Sequence, residues 1–140
     1  VLLFGVVQVP IMLGLALILA LLLDSPLVRG TKFFRLAFFA PYAVPAVIAA
    51  IMWGFLYSPN LSPFTAVTSN VDLLSAETVL WSIANVVTWV YVGYNMLIIY
   101  SALLSIPQEI YEAARLDGAG QFRIAWAIKI PLVVPALVLT

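Results

Sequence analysis

Long apolar runs constrain this chain more than anything else in it. Residues 1–23, 36–57 and 79–104 are almost free of charge, and a further run starts at Ile130 and reaches Thr140. A helix needs roughly 20 apolar residues to cross a bilayer, and the first three runs supply them. Backbone N–H and C=O groups cannot be left unpaired in lipid, so these runs are expected to be helices. The predicted fold class is therefore all-α: a polytopic transmembrane helix bundle with three complete spans and a partial fourth. Composition agrees, since 65% of the 140 residues are hydrophobic and only 9% are charged, which no soluble core requires. The first run lacks the positively charged leader of a signal peptide and is too long for one, so it reads as a span. A start without methionine and an end inside an apolar run are expected of a piece of a longer protein.

The charges orient the spans. The segment 24–35 carries Arg29, Lys32 and Arg35 against Asp24, while 58–78 holds only Asp72 and Glu77. All 6 basic residues fall in 24–35 or in 105–129, which alternating spans place on one side, and the positive-inside rule makes that side the cytoplasm. The predicted organisation is a span at 1–23, a cytoplasmic loop at 24–35, a span at 36–57, an outer loop at 58–78, a span at 79–104, a cytoplasmic segment at 105–129, and the start of another span at 130–140. Trp53, Tyr57 and Trp81 then lie at the outer interface, where amphipathic rings are favoured. Pro41 and Pro45 predict a kink in the second span.

The span 79–104 is the most polar. Asn85, Thr88, Tyr91 and Asn95 recur at three- and four-residue intervals and are expected to share a helical face, flanked by Trp89 and Tyr94. Polar groups at membrane depth point at other helices or at water. Two readings stay open. In one, Thr88, Tyr91, Tyr94 and Asn95 line a translocation pathway, with hydroxyls and amides bonding a polyol and an aromatic ring stacking on its apolar face. In the other they bond neighbouring helices, at about 0.6 kcal/mol per contact.

The segment from Ser105 to Pro135 is the only long stretch between apolar runs that mixes charges, alanines and paired glycines. Ser105 and Gln108 have capping-box spacing, and Pro107 suits a first helical turn. Glu109 and Glu112 fall near the positive end of the helix dipole. Gly118, with Gly120 behind it, suits the left-handed end of a helix, and a second short helix is expected to restart there and stop at Pro131. A helix, a sharp turn and a helix are thus predicted. The first offers apolar Tyr111, Leu116 and Phe122 beside Glu112, Arg115 and Asp117, a surface fit for a protein groove or for the lipid headgroup layer.

Glu112-Ala113-Ala114, then three residues, Gly118, nine residues and Ile128-Lys129-Ile130-Pro131 resembles the EAA signature of the membrane-spanning subunits of ATP-binding-cassette importers. Ile130 stands where leucine is usual. The flanks Ile106-Pro107, Leu116-Asp117-Gly118-Ala119 and Phe122 resemble the branch that imports sugars, glycerol phosphates and oligosaccharides. The resemblance implies a type I importer permease fold, of which this chain is a fragment, in a multi-pass protein of a bacterial or archaeal plasma (inner) membrane. It implies a coupling helix that faces the cytoplasm and docks on an ATPase subunit. There Glu112 pairs with a basic group, Ala113 and Ala114 allow close approach, Gly118 sets the angle of the turn, Asp117 and Ala119 belong to the same coupling segment, and Pro131, also of the motif, has a structural role. It also implies three kinds of protein partner: cytoplasmic ATPase subunits, a second and related permease subunit in a heterodimer, and an extracytoplasmic solute-binding protein. The cargo is expected to be a small sugar or related polyol, with a non-sugar solute as the alternative.

Other classes fit less well. The chain has no cysteine and no histidine, and no phosphate-binding G-x-x-x-x-G-K-[ST] loop. No catalytic residue, metal site, cofactor or nucleic-acid partner is therefore expected. A secondary transporter would need an intramembrane ionisable relay, yet all 6 carboxylates lie in loops or at their edges. A membrane scaffold that transports nothing would use the polar stripe only to hold helices together.

Overall fold

A computed structural model describes residues 2–58, 61–63 and 72–139. Every regular element among them is helical, as the apolar runs require. The rest of the expected outer loop, residues 59–60 and 64–71, lies outside the described residues.

Helix α1, Leu2–Asp24, runs unbroken through Pro10. Its buried residues Gln8, Met12, Ala16, Ala20 and Leu23 recur every three or four positions and so form one stripe. The two alanines let another backbone come close, as small residues do between membrane helices. That neighbour is α4, Val79–Leu104, whose Met96, Ile99, Tyr100 and Leu103 share a buried cluster with Ala16, Ala20 and Leu23.

The second apolar run is not one helix. Helix α2, Thr31–Phe39, begins ahead of the run itself, a tight 3-10 turn takes Ala40–Ala43, and α3 covers Ala46–Tyr57. The two halves meet at 94°. Pro45 forces the residue before it out of the helical region, and Val44 is extended at φ −75°, ψ 126°. The backbone of α2 lies against α4 at Gly93, where any Cβ would run into the Phe38 carbonyl. Glycine is required there for close approach. At 12 residues, α3 rises only about 18 Å, short of the ~30 Å hydrocarbon thickness, so a crossing needs both halves of the bent pair.

After α4 come α5, Gln108–Leu116, and α6, Gln121–Ile124. The helix expected to stop at Pro131 does not stop. A wide π turn at Ala125–Lys129, in which the Ile130 N–H reaches back five residues to the Ala125 carbonyl, feeds directly into α7, Ile130–Leu139. A proline inside a helix removes one N–H donor and crowds the carbonyl four residues back. The widened turn just ahead of Pro131 accommodates both effects, as π turns inserted in α-helices do. Among the described residues three helices are long and apolar enough to cross a membrane, Phe4–Asp24, Val79–Leu104 and Gln121–Val138, and the bent pair counts as a fourth if its two halves make one span.

Candidate functional site

Helix α5 is closed at its C-terminal end, and its N-terminus differs from what its sequence suggests. Pro107 is the N-cap, not a first-turn residue, with extended ψ of 137°. The Ser105–Gln108 capping box does not form. Gln108 is already the first helical residue, and Ser105 instead closes α4, its Oγ donating to the Ala102 carbonyl at 2.7 Å. At the other end Gly118 has φ +79°. The Gly118 N–H bonds the Arg115 carbonyl at 3.0 Å and the Ala119 N–H bonds Ala114 at 2.9 Å. This pair of bonds is the Schellman arrangement, which only a residue at ease with positive φ can close. Glu109 in the first turn and Arg115 in the last complement the helix dipole.

The two faces of α5 differ. Tyr111 is buried, and Ala114 and Ala119 pack against the core. Glu109, Glu112, Ala113 and Leu116, spaced by three and four, lie on the opposite face and are exposed, as are Asp117 and Gly118. Leu116 is 90% exposed and Phe122, just past the turn, 82%. None of these acids makes an ion pair among the described residues. The EAA triplet is thus split: Glu112 and Ala113 face outward and Ala114 faces the protein's own body. Pro131 is exposed at the start of α7.

Under α5 lies a group that sequence spacing could not reveal. The Lys129 Nζ donates to Asp24 Oδ2 at 2.5 Å, with both side chains mostly buried. The same ammonium stands 5.3 Å from the centre of the Tyr111 ring, a cation–π distance. Burial, and secondarily the negative charge of Asp24, raises the Tyr111 phenol above its usual 10.0, so it is uncharged at neutral pH. The phenol oxygen has no hydrogen-bond partner among the described residues.

The polar stripe of α4 divides. Thr88 accepts from Gln8 Nε2 at 2.7 Å and donates to the Ala84 carbonyl at 2.8 Å, while Gln8 also donates to Ala84 at 2.9 Å. Asn95 is 3% exposed. Asn85 donates to the Tyr57 hydroxyl at 2.7 Å, which in turn donates to the Ser82 carbonyl. Tyr91 and Tyr94, by contrast, stay exposed. Residues seven apart on a helix differ by only about 20° in azimuth, so Thr88 and Asn95 both turn towards α1. Tyr91 and Tyr94 lie about 60° and 120° away at 3.6 residues per turn.

Those two tyrosines gain a partner the sequence left out. Tyr42, in the turn between Pro41 and Pro45, stacks on Tyr94 at 4.8 Å and 15° and meets Tyr91 edge-on at 5.8 Å. The bend is what brings it there. A cleft of about 480 Å³ opens beside this cluster, lined by Tyr42, Val44, Ala49, Val87, Val90 and Tyr91. Exposed tyrosines such as these can stack a ring on the apolar face of a sugar and hydrogen-bond its rim. Trp53, expected with Tyr57 and Trp81 near one interface, packs on Tyr57 at 5.2 Å and on Trp89 at 5.6 Å.

Known proteins resemble this arrangement. Residues 8–140 match the family described as "Binding-protein-dependent transport system inner membrane component". The diacetylchitobiose uptake system permease protein NgcF of Streptomyces coelicolor is 33% identical over 115 residues, covering 76% of this chain and 33% of that protein. The sn-glycerol-3-phosphate transport system permease protein UgpA of Agrobacterium fabrum is 31% identical over 137 residues, covering 94% of this chain and 46% of that protein. The chain thus spans less than half the length of either relative. A chain of the crystal structure of a bacterial alginate ABC transporter, in complex with an alginate pentasaccharide-bound periplasmic protein, superposes with a TM-score of 0.86 at 21% identity, over 97% of this chain and 50% of that one. The helical arrangement is therefore a fold found in ABC importers.

Proposed function

The chain belongs to the family of binding-protein-dependent transport system inner membrane components, a transport component of the plasma membrane, and from that premise we propose that it forms part of the permease of an ATP-driven importer for a sugar or related polyol. It carries no ATPase site of its own. Cytoplasmic ATPase subunits dock on the outward face of α5 and supply the energy, a solute-binding protein delivers cargo from outside, and a second, related permease subunit completes the pathway. The observation that carries the reading is that face itself. Glu109, Glu112, Ala113 and Leu116 are exposed, and neither acid makes an ion pair among the described residues; a solvated acid-and-apolar surface on a helix closed by a Schellman turn suits a protein groove.

Glu112 meets a basic group in the ATPase cleft, and Ala113 rather than Ala114 permits the close approach. The turn through Asp117, Gly118 and Ala119 fixes the angle at which α5 leaves the body. Towards the membrane, Tyr91 and Tyr94 with Tyr42 form the sugar-facing wall of the pathway. Thr88 supports that wall from behind by bonding Gln8 of α1, with Asn95 buried one heptad further along α4. The cargo of the two relatives, an N-acetylated disaccharide in one name and a glycerol phosphate in the other, favours a polyhydroxylated solute here.

The test is to assemble the full-length permease with its ATPase and binding protein in lipid and measure ATP hydrolysis against a panel of solutes. Sugars, oligosaccharides or polyol phosphates should stimulate it. Stimulation by an amino acid or a metal ion instead would overturn the substrate class. Uptake driven by an ion gradient without ATP would overturn the importer.

A further inference from the structure

Force applied to α5 has to reach the spans, and a helix of 9 residues tethered by two loops does not transmit it merely by being attached. What joins α5 to the body is the group beneath it. Tyr111 points inward from α5, Asp24 is the last residue of α1, and Lys129 is the last residue of the π turn that opens into α7. These residues are far apart in sequence, 105 positions in the case of the ion pair, and they come from three elements that meet nowhere else through charge among the described residues.

Each member is out of place without the others. A carboxylate at a helix C-terminus opposes the negative end of the dipole, so Asp24 is unfavourable there unless a cation covers it. A mostly buried ammonium needs a counter-charge, and Lys129 has Asp24 on one side and the Tyr111 ring on the other. Arg115, the other cation lining the small cleft between these residues, is exposed and leaves the pairing to Lys129. Tyr111 shares a buried cluster with Leu23, Ile106 and Ile124, so the charged group sits beside packed apolar side chains.

We propose that Asp24, Lys129 and Tyr111 form a latch that makes α5 move as one body with the cytoplasmic end of α1 and the start of α7, and that they are positioning residues for coupling ATP hydrolysis to transport. The inference rests on the function proposed above. Asp24 and Lys129 act through α5 and touch neither solute nor nucleotide.

The experiment uses the full-length permease in its assembled complex, reconstituted in lipid, and reads solute taken up per ATP hydrolysed together with ATPase retained on purification. Asp24→Asn and Lys129→Gln should each lower uptake per ATP at least tenfold while ATPase recruitment and basal hydrolysis hold. The exchange of the two, Asp24→Lys with Lys129→Asp, should restore the ratio. If the wild type couples and the single variants keep its ratio, the latch is overturned and the function stands. If the wild type recruits no ATPase, the function is overturned and the latch with it. Should the single variants not assemble, the exchange carries the test alone: it restores both assembly and uptake per ATP, or the proposal fails.

Discussion

At Gly118 one torsion decides how α5 ends. With φ at +79°, a side chain there strains the backbone by roughly 1–2 kcal/mol, and a β-branched one adds its own rotamer restriction. The open space around the position means that the cost is conformational, not a clash. Gly118→Val should therefore leave the protein inserted in the membrane but lower ATP-driven uptake, because the Schellman bonds from Gly118 and Ala119 reopen and the helix angle is lost. Full uptake by this variant would show that the turn is not what sets that angle. This residue was legible in the sequence because a glycine after a capped amphipathic stretch has few other uses. Asp24 and Lys129 were not. Nothing local marks them as partners, and their meeting depends on the register of α1 against the helix that carries Lys129. The one local signal was the misfit of an acid at the end of a long helix.

Among the elements, α4 shows what periodicity can and cannot resolve. Its three- and four-residue polar spacing is read from sequence as a single face, but a stripe drawn from Asn85 to Asn95 covers enough of the helix to meet three different neighbours. Thr88 bonds Gln8 in α1, Asn95 is buried, Asn85 bonds Tyr57 in α3, and Tyr91 and Tyr94 meet Tyr42 at the bend. Helix existence and the proline bend were legible, since run length and X-Pro sterics are local. The consequence of the bend, that Tyr42 is delivered to the two tyrosines, belongs to packing. Thr88→Ala removes a bond of the kind worth about 0.6 kcal/mol between membrane helices. It should lower the thermal stability of the purified permease slightly without changing which solutes it accepts. Tyr94→Ala removes the stacked ring and should alter solute selectivity in the same transport assay, with assembly preserved. Equal effects of the two on selectivity would contradict the division of α4 into a packing side and a pathway side.

For the molecule as a whole, the helical class followed from the apolar runs, and the likeness to a structurally known importer chain, at a TM-score of 0.86, extends that to the arrangement of the helices. What distinguishes this arrangement from an inert bundle is a mechanical division. The small-residue stripe of α1, with Ala16 and Ala20 in its middle, packs against α4 as a stiff core. The bent α2–α3 pair closes over one side of it, and α5 protrudes from the end where Asp24, Lys129 and Tyr111 converge. Under the proposed function, energy enters at that end and is felt at the tyrosines, which requires a rigid path between them. None of the 140 residues is cysteine, so a single introduced thiol within them reports on its own surroundings alone. The most direct test places one at Ala113, on the outward face of α5, in the full-length protein stripped of any other cysteine and assembled in membranes. A thiol-reactive crosslinker should then join it to the ATPase subunit, and a membrane-impermeant maleimide added from outside should leave it unlabelled. Labelling from outside, or an accessible thiol that never crosslinks to the ATPase, would contradict the account.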